Sequence, residues 1–383
     1  MFDRRTLLAA LGAGIGGALT PYRPMASAAG TYLIPIALES GRLLVSCKVN
    51  GQGPLAFAID TGGVVSLIRR DLVKQLSLNS AGSAGLGVAG RTDRFPMFEA
   101  REVVFGNQLR QAGVVFAATD FVGFGEGVSG SLAAGCLTTI DSELDFQAEE
   151  WRLYPRGGPR RDGWVRHERA IEQRSPIGGS AYLFADARLG TTKFRCALDT
   201  GAPAAIRLFP ELARKSGLYD ERQNWSPSRK RDGQIARIIR ARIPLSLGDL
   251  ILDRPLVALQ MDGPRNRVFE QALVGLPLIR LLDVATEVKA RQLWTRANGL
   301  QAIERYNMSG LWIDQRGKDL IAGSVGRGSP ADQAGIAIGD RIQGVDFQQL
   351  IKGLNGPAGG EISFGVARGS QRRDVTLTLA NYL

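Results

Sequence analysis

Residues 51–62 read GQGPLAFAIDTG and residues 190–201 read GTTKFRCALDTG, so Asp60-Thr61-Gly62 and Asp199-Thr200-Gly201 each close an apolar run. A single Asp-Thr-Gly carries little weight, because average residue frequencies place that tripeptide by accident in roughly one chain in ten of this length. Two copies in matching contexts are far harder to obtain by accident. Two equivalent turns that each present a carboxylate supply what a water-activating acid/base pair needs.

The repeat extends beyond the twelve residues. Downstream of Asp60 lies Ala133-Ala134-Gly135, and downstream of Asp199 lies Leu273-Val274-Gly275, so the interval from Asp to Gly is 75 residues in one copy and 76 in the other. Between them, Val104-Phe105-Gly106-Asn107 matches Ser246-Leu247-Gly248-Asp249, each a strand end turning at Gly-Asn or Gly-Asp. Beyond them, Trp151-Arg152-Leu153-Tyr154 is matched to Arg291-Gln292-Leu293-Trp294. The unit spans roughly 125 residues, the size of one domain. Runs such as LLVSCKVN, AREVVFG, AGVVFAA, ARIPLSLG and RPLVALQ are short, apolar or β-branched, and bounded by Gly, Pro, Asn or Asp. They predict a mainly β protein with few long helices.

Over residues 31–297 this pattern resembles the retropepsin-like and pepsin-like aspartic peptidases. The residues that carry the resemblance are Ile59 with Asp60 to Gly62 and Ala133 to Gly135, then Leu198 with Asp199 to Gly201 and Val274-Gly275. The resemblance implies two homologous β-barrel lobes in one pepsin-like bilobal unit, the first over 31–155 and the second over 176–297. An interlobe linker would run over 156–175. It implies Asp60 and Asp199 as the catalytic pair, with Thr61, Gly62, Thr200 and Gly201 as supporting loop residues, acting on a protein or peptide substrate.

The chemistry is also arguable from the residues. Peptide hydrolysis near neutral pH needs a base to take a proton from water and an acid to give one to the carbonyl oxygen or the leaving nitrogen. Two carboxyls sharing one proton supply both, because like charges a few Å apart cannot both ionise easily. The Thr61 and Thr200 hydroxyls can bond across the loops, and Gly62 and Gly201 admit a close bend. The two-lobed secreted relatives carry Ser or Thr after each triplet, whereas Gly63 and Ala202 stand here. One hydrogen bond fewer to the ionised form predicts a mildly acidic to neutral optimum. Substrate-gripping flaps are expected near Gly85 to Phe98 and Pro227 to Ile239, neither with a tyrosine.

Other chemistries are limited by one count: the chain has a single histidine, His167, within the arginine-rich RGGPRRDGWVRHERA. A Ser-His-Asp triad, a Cys-His pair or a His-rich zinc site would all depend on it. His167 is read as a solvated linker residue. Cys47, Cys136 and Cys196 are too scattered for a zinc motif, and Cys47 and Cys196 read as small buried apolar residues on strands. One disulfide remains open in an oxidising compartment. No cofactor or metal is expected.

At the amino terminus, Arg4-Arg5-Thr6-Leu7-Leu8 precedes a glycine-rich apolar run to Thr20 and then Met25-Ala26-Ser27-Ala28, a small-x-small cleavage pattern. The run is too short to anchor in a bilayer. Residues 1–28 resemble a twin-arginine export signal, which predicts a periplasmic or secreted protein without a transmembrane segment once processed. Gly12, Gly14 and Gly17 fit G-x-G-x-x-G, but no strand precedes them, and a dinucleotide site is rejected.

From residue 303 to 383 the chain changes character. Gly328-Ser329-Pro330-Ala331, Ala334-Gly335-Ile336 and Gly339-Asp340-Arg341-Ile342 resemble a bacterial PDZ domain, a small α+β module. The resemblance implies capture of a C-terminal peptide as an added strand, with Gly310, Leu311, Trp312 and Ile313 as the carboxylate-binding loop. Asp346 to Gly360 is short for the helix that walls such a groove. The net charge is +11, yet no nucleic-acid motif accompanies it, and no nucleic-acid partner is expected. Two readings stand: an exported aspartic endopeptidase whose PDZ module recruits or gates substrate, and a peptide-binding adaptor that keeps the scaffold without turnover.

Overall fold

The computed structural model describes residues 30–88, 91–106, 108–120, 125–175, 178–229, 235–263, 268–269 and 271–383. The export signal expected over 1–28 lies outside the described residues. The protein is mainly β, and among the described residues no helix is long and apolar enough to cross a membrane.

The first lobe is built on Arg42–Val49, Gln52–Asp60, Val128–Ala133, Ser66–Arg69, Leu109–Thr119, Arg91–Phe105 and Asn79–Val88, in that order across the sheet. Pairing of Cys47 with Phe105 joins the first of these strands back to the long one and curls the sheet closed. The second lobe repeats the order with Tyr182–Leu189, Thr192–Asp199, Ala272–Gly275, Ile206–Leu208, Leu256–Leu259, Ile235–Arg240 and Ser226–Arg229. Alternation drives both: along Tyr182–Leu189, Leu183, Ala185, Ala187 and Leu189 face the main core. Cys47 and Cys196 are buried as expected, and all three cysteines are free thiols.

One shared sheet joins the lobes. Asp141–Asp145 pairs with Glu150–Tyr154 in the first lobe, Leu282–Glu287 with Gln292–Ala297 in the second, and Val284 pairs antiparallel with Leu144 between them. The Thr286 hydroxyl accepts from Ser142 N–H (3.0 Å) and donates to Leu137 O (2.7 Å), a second bridge across the seam.

This sheet corrects the repeat alignment. Glu149 (φ 56°) and Arg291 (φ 54°) are equivalent turn residues, and their carbonyls accept from Ile36 N–H and Ala170 N–H respectively. Trp151 therefore corresponds to Leu293, not Leu153 to Leu293. The sequence match slipped by two residues, which leaves the in-out pattern of a strand unchanged and so cannot be detected from it.

The same sheet corrects the reading of His167. It lies in strand Val165–His167, opposite Leu293, where the first lobe places Ile34 opposite Trp151. The ring is 3% exposed; Nδ1 accepts from Asp186 N–H (3.1 Å), and Nε2 meets the Thr295 hydroxyl (2.9 Å). Burial lowers its pKa, which keeps it neutral. The arginines around it hid a strand in which Val165 and His167 point inward.

The carboxyl-terminal residues form a separate five-stranded sheet ordered Leu311–Arg316, Asp319–Val325, Arg341–Gln343, Glu361–Arg368, Gln371–Thr378. Its core gathers Leu311, Ile313, Ala322, Leu350, Phe364 and Leu377. Ser329 caps Pro330–Gln333 by accepting from Asp332 N–H, and Gly335 (φ 69°) follows the helix. The stretch read as short holds the helix Phe347–Leu354, capped by Asp346 through Gln349 N–H. Gly310 to Ile313 begin the edge strand. Two of their amides are already engaged, Gly310 N–H with Asn307 and Leu311 N–H with the Ser309 hydroxyl.

Candidate active site

Each Asp-Thr-Gly sits where a strand ends beside a parallel neighbour. Asp60 ends Gln52–Asp60 opposite Ala133 of Val128–Ala133, and Asp199 ends Thr192–Asp199 opposite Gly275 of Ala272–Gly275. The return strands Ser66–Arg69 and Ile206–Leu208 pack antiparallel on the far side of those neighbours. Each loop is thus held between strands that emerge from a packed core, which fixes the carboxylate without help from the surface.

The two loops meet through their threonines. The Thr61 hydroxyl donates to Leu198 O (2.7 Å) and accepts from Thr200 N–H (3.0 Å); the Thr200 hydroxyl donates to Ile59 O (2.6 Å) and accepts from Thr61 N–H (3.1 Å). Both are buried, at 1% and 3% exposure, so all four bonds are shielded from water. The lattice is two-fold in character and ties together residues 139 apart in sequence.

The glycines then bring the acids together. A Cβ added to Gly62 would stand 2.5 Å from Asp199 Oδ1, and one added to Gly201 would stand 2.5 Å from Asp60 Oδ1. Each carboxyl therefore lies over the glycine of the opposite loop. Each carboxyl also accepts from its own loop: Gly62 N–H to Asp60 (3.1 Å), Gly201 N–H to Asp199 (2.9 Å). All six residues singled out in the two triplets are gathered in one place.

Burial raises the pKa of Asp60, against hydrogen bonds from Asp199 and from the Gly62 and Gly63 amides that favour its charged form. Burial also drives Asp199 well above the ordinary range, and the Asp60 charge adds to it. The pair holds one proton into a range where isolated carboxyls are ionised. Gly63 and Ala202 offer no hydroxyl to oppose this. They serve by backbone: Gly63 O accepts from Ala134 N–H (3.0 Å), and Ala202 O from Leu276 N–H (3.2 Å).

One neighbour escaped the sequence reading. Tyr182 is 7% exposed, and its pKa is pushed up to about 12 by burial, then by the charges of Asp199 and Asp60. Tyr182 precedes Asp199 by one hairpin, on a strand that doubles back beside it, a proximity that only the pairing of the two strands reveals. The expected flap regions fall in two hairpins, Asn79–Val88 with Arg91–Phe105 and Ser226–Arg229 with Ile235–Arg240. Residues 89–90 and 230–234, between those paired strands, lie outside the described residues.

No curated protein matches this chain. Among solved structures, it is similar to an aspartic proteinase from Irpex lacteus, with a TM-score of 0.46 and 10% identity over 70% of this chain and 98% of that one. Residues 45–139 match the family described as Aspartyl protease, a stretch that takes in Asp60, its triplet and Ala133 to Gly135.

Proposed function

We propose that this chain is an exported aspartic endopeptidase in which Asp60 and Asp199 activate a water for attack on a peptide carbonyl. The observation that carries this reading is the convergence of the two half-buried carboxyls, each seated on the other loop's glycine. One carboxylate takes a proton from the water as its oxygen adds to the carbonyl carbon. The protonated partner gives its proton to the carbonyl oxygen. Collapse then returns a proton to the leaving nitrogen as the C–N bond breaks. Preorganised donors and a rigid loop pair lower the cost of reaching that geometry.

The carboxyl-terminal module, read as a PDZ domain, brings substrate to the cleft through the edge strand Leu311–Arg316, and residues 1–28 direct export. The test uses protein beginning near Ala29 and an unfolded protein substrate. Asp60→Asn and Asp199→Asn are each expected to lower kcat by about 10²–10⁴-fold, the range of general acid/base loss. Variants that cleave like the parent would end the reading. Absence of cleavage together with capture of C-terminal peptides would favour the adaptor.

A further inference from the structure

In the hairpin that delivers Asp199, Phe184 pairs antiparallel with Ala197. Two residues further along both strands, the same register sets Tyr182 opposite Asp199. Opposed residues of an antiparallel pair project to the same face, a few Å apart. Leu183, between Tyr182 and Phe184, turns into the main core, so Tyr182 turns away from it. Its ring joins a small cluster with Phe184 and Ala197, packed by Val64, Val268 and Phe269. Phe269 stands edge-on to it at 5.3 Å and 88°.

Val64 belongs to the other lobe, four residues after Asp60. Its carbonyl accepts from Ser180 N–H (2.8 Å), two residues before Tyr182. Tyr182 is therefore held across the lobe boundary, at the base of both acid-bearing loops. Its hydroxyl has no hydrogen-bond partner among the described residues, and it is absent from the sealed polar atoms such as Trp151 Nε1 and Asp283 Oδ1. A phenol more than nine-tenths buried, with its polar end unspent, is built to meet something. In the first lobe the same register, with Leu44 opposite Ala58, sets Arg42 opposite Asp60. There the side chain donates to Ser40 O (3.3 Å) and runs toward Gly125. Among the described residues, an aromatic wall stands beside Asp199 and none stands at the matching place beside Asp60.

We infer that Tyr182 is a substrate-contacting, specificity-determining residue. Its ring forms, with Phe269 and Val64, the wall of a subsite beside Asp199 that takes a large apolar side chain, and its hydroxyl donates to a main-chain carbonyl of the bound peptide. This rests on the peptidase reading above. The test compares the full chain with Tyr182→Phe and Tyr182→Ala on peptides that differ only by Phe or Ala at one position flanking the scissile bond. Tyr182→Phe keeps the wall and loses the donor; kcat/KM should fall about five-fold on every peptide, with the Phe preference intact. Tyr182→Ala loses the wall, and the Phe-over-Ala preference should fall about tenfold or more.

If Tyr182→Phe, folded and equally heat-stable, matches the parent in both kcat/KM and preference, the donor role is overturned. If Tyr182→Ala or a better-packed Tyr182→Leu keeps the full preference, the wall is overturned. Both results would leave the parent active and the peptidase reading standing. A parent chain that neither cleaves nor binds a hydroxyethylene peptide isostere would overturn both readings together.

Discussion

The two lobes agree to within hydrogen-bond distances where the carboxyls meet and diverge at the hairpins that overhang them. In the first lobe the hairpin runs through Asn79–Val88 and the fifteen-residue strand Arg91–Phe105. In the second, the counterpart of that long strand is broken into Ile235–Arg240 and Leu245–Leu247, and its neighbour into Leu250–Leu252 and Leu256–Leu259. Pro244 and Pro255 stand at the breaks, where a residue without N–H cannot continue a ladder. The shorter hairpin is held elsewhere. The Ser226 hydroxyl donates to Asn307 O (3.0 Å), Asn224 Nδ2 to Tyr382 O (2.9 Å), and Trp225 N–H to Arg327 O (3.3 Å), all in or beside the carboxyl-terminal module. The two acid-bearing loops match bond for bond, whereas the hairpins above them differ in length, continuity and anchoring.

The sharpest way to break the symmetry is at its glycines. Gly62→Ala and Gly201→Ala each thrust a methyl into the opposite carboxyl, at 2.5 Å from an oxygen. Displacing a reacting group by about 1 Å costs on the order of 10²-fold, so both variants should lose activity by about that factor and to a similar extent. A loss confined to one of the two would mean that the acids do not share the work across a two-fold pair.

The loops were legible in the sequence because they stand in duplicate: Asp60 to Gly62, Asp199 to Gly201, Gly135 and Gly275 were identified by type and spacing. The strands were legible from alternation. Three features were not. The register of Gln292–Ala297 is invisible to alternation, since a slip of two keeps Leu293 inside. His167 lies in a run whose arginines suggest solvent, although its partners Asp186 and Thr295 are remote in sequence. Tyr182 is informative only once Phe184 is known to pair with Ala197, and that pairing comes from the fold.

The threonine lattice should show its equivalence in stability. Thr61→Val and Thr200→Val each remove one donor and one acceptor and leave a buried carbonyl and a buried N–H without partners. At about 1–3 kcal/mol for an unsatisfied buried group, each should cost about 2–5 kcal/mol, measured by urea unfolding. Equal losses sharpen the two-fold picture.

The hairpins should respond unequally to changes at the module. Asn224→Ala with Ser226→Ala removes two bonds that tie the second hairpin to Tyr382 and Asn307, and none that touch the first. A bond of this kind is worth about 1 kcal/mol net, so with two removed amide exchange over 226–229 and 235–240 should quicken by about thirtyfold. Exchange over 79–105 should not change. Equal quickening in both would mean that the module braces the whole cleft.

The smallest effect separates the two acids themselves. Asp60 and Asp199 both have folded pKa values raised above 3.8, Asp199 by more, with burial as the leading cause. A carboxyl of this kind binds its proton more tightly folded than unfolded, so stability is full below the unfolded pKa and is lost as pH rises through the folded one. Replacing it by a neutral amide removes that loss. Asp199→Asn should therefore melt a few degrees higher than the parent at pH 7, with the gain shrinking toward zero as pH falls to about 3.8. Asp60→Asn should gain less, because the interaction with its partner favours the charged form of Asp60 and disfavours that of Asp199. The same raised pair keeps one shared proton into mild acidity, so the parent's pH-rate profile should peak between mild acidity and neutrality. A peak below about pH 3 would mean that the pair gives up its proton before mild acidity, and a melting gain larger in Asp60→Asn would reverse the order in which the two lobes give up their protons.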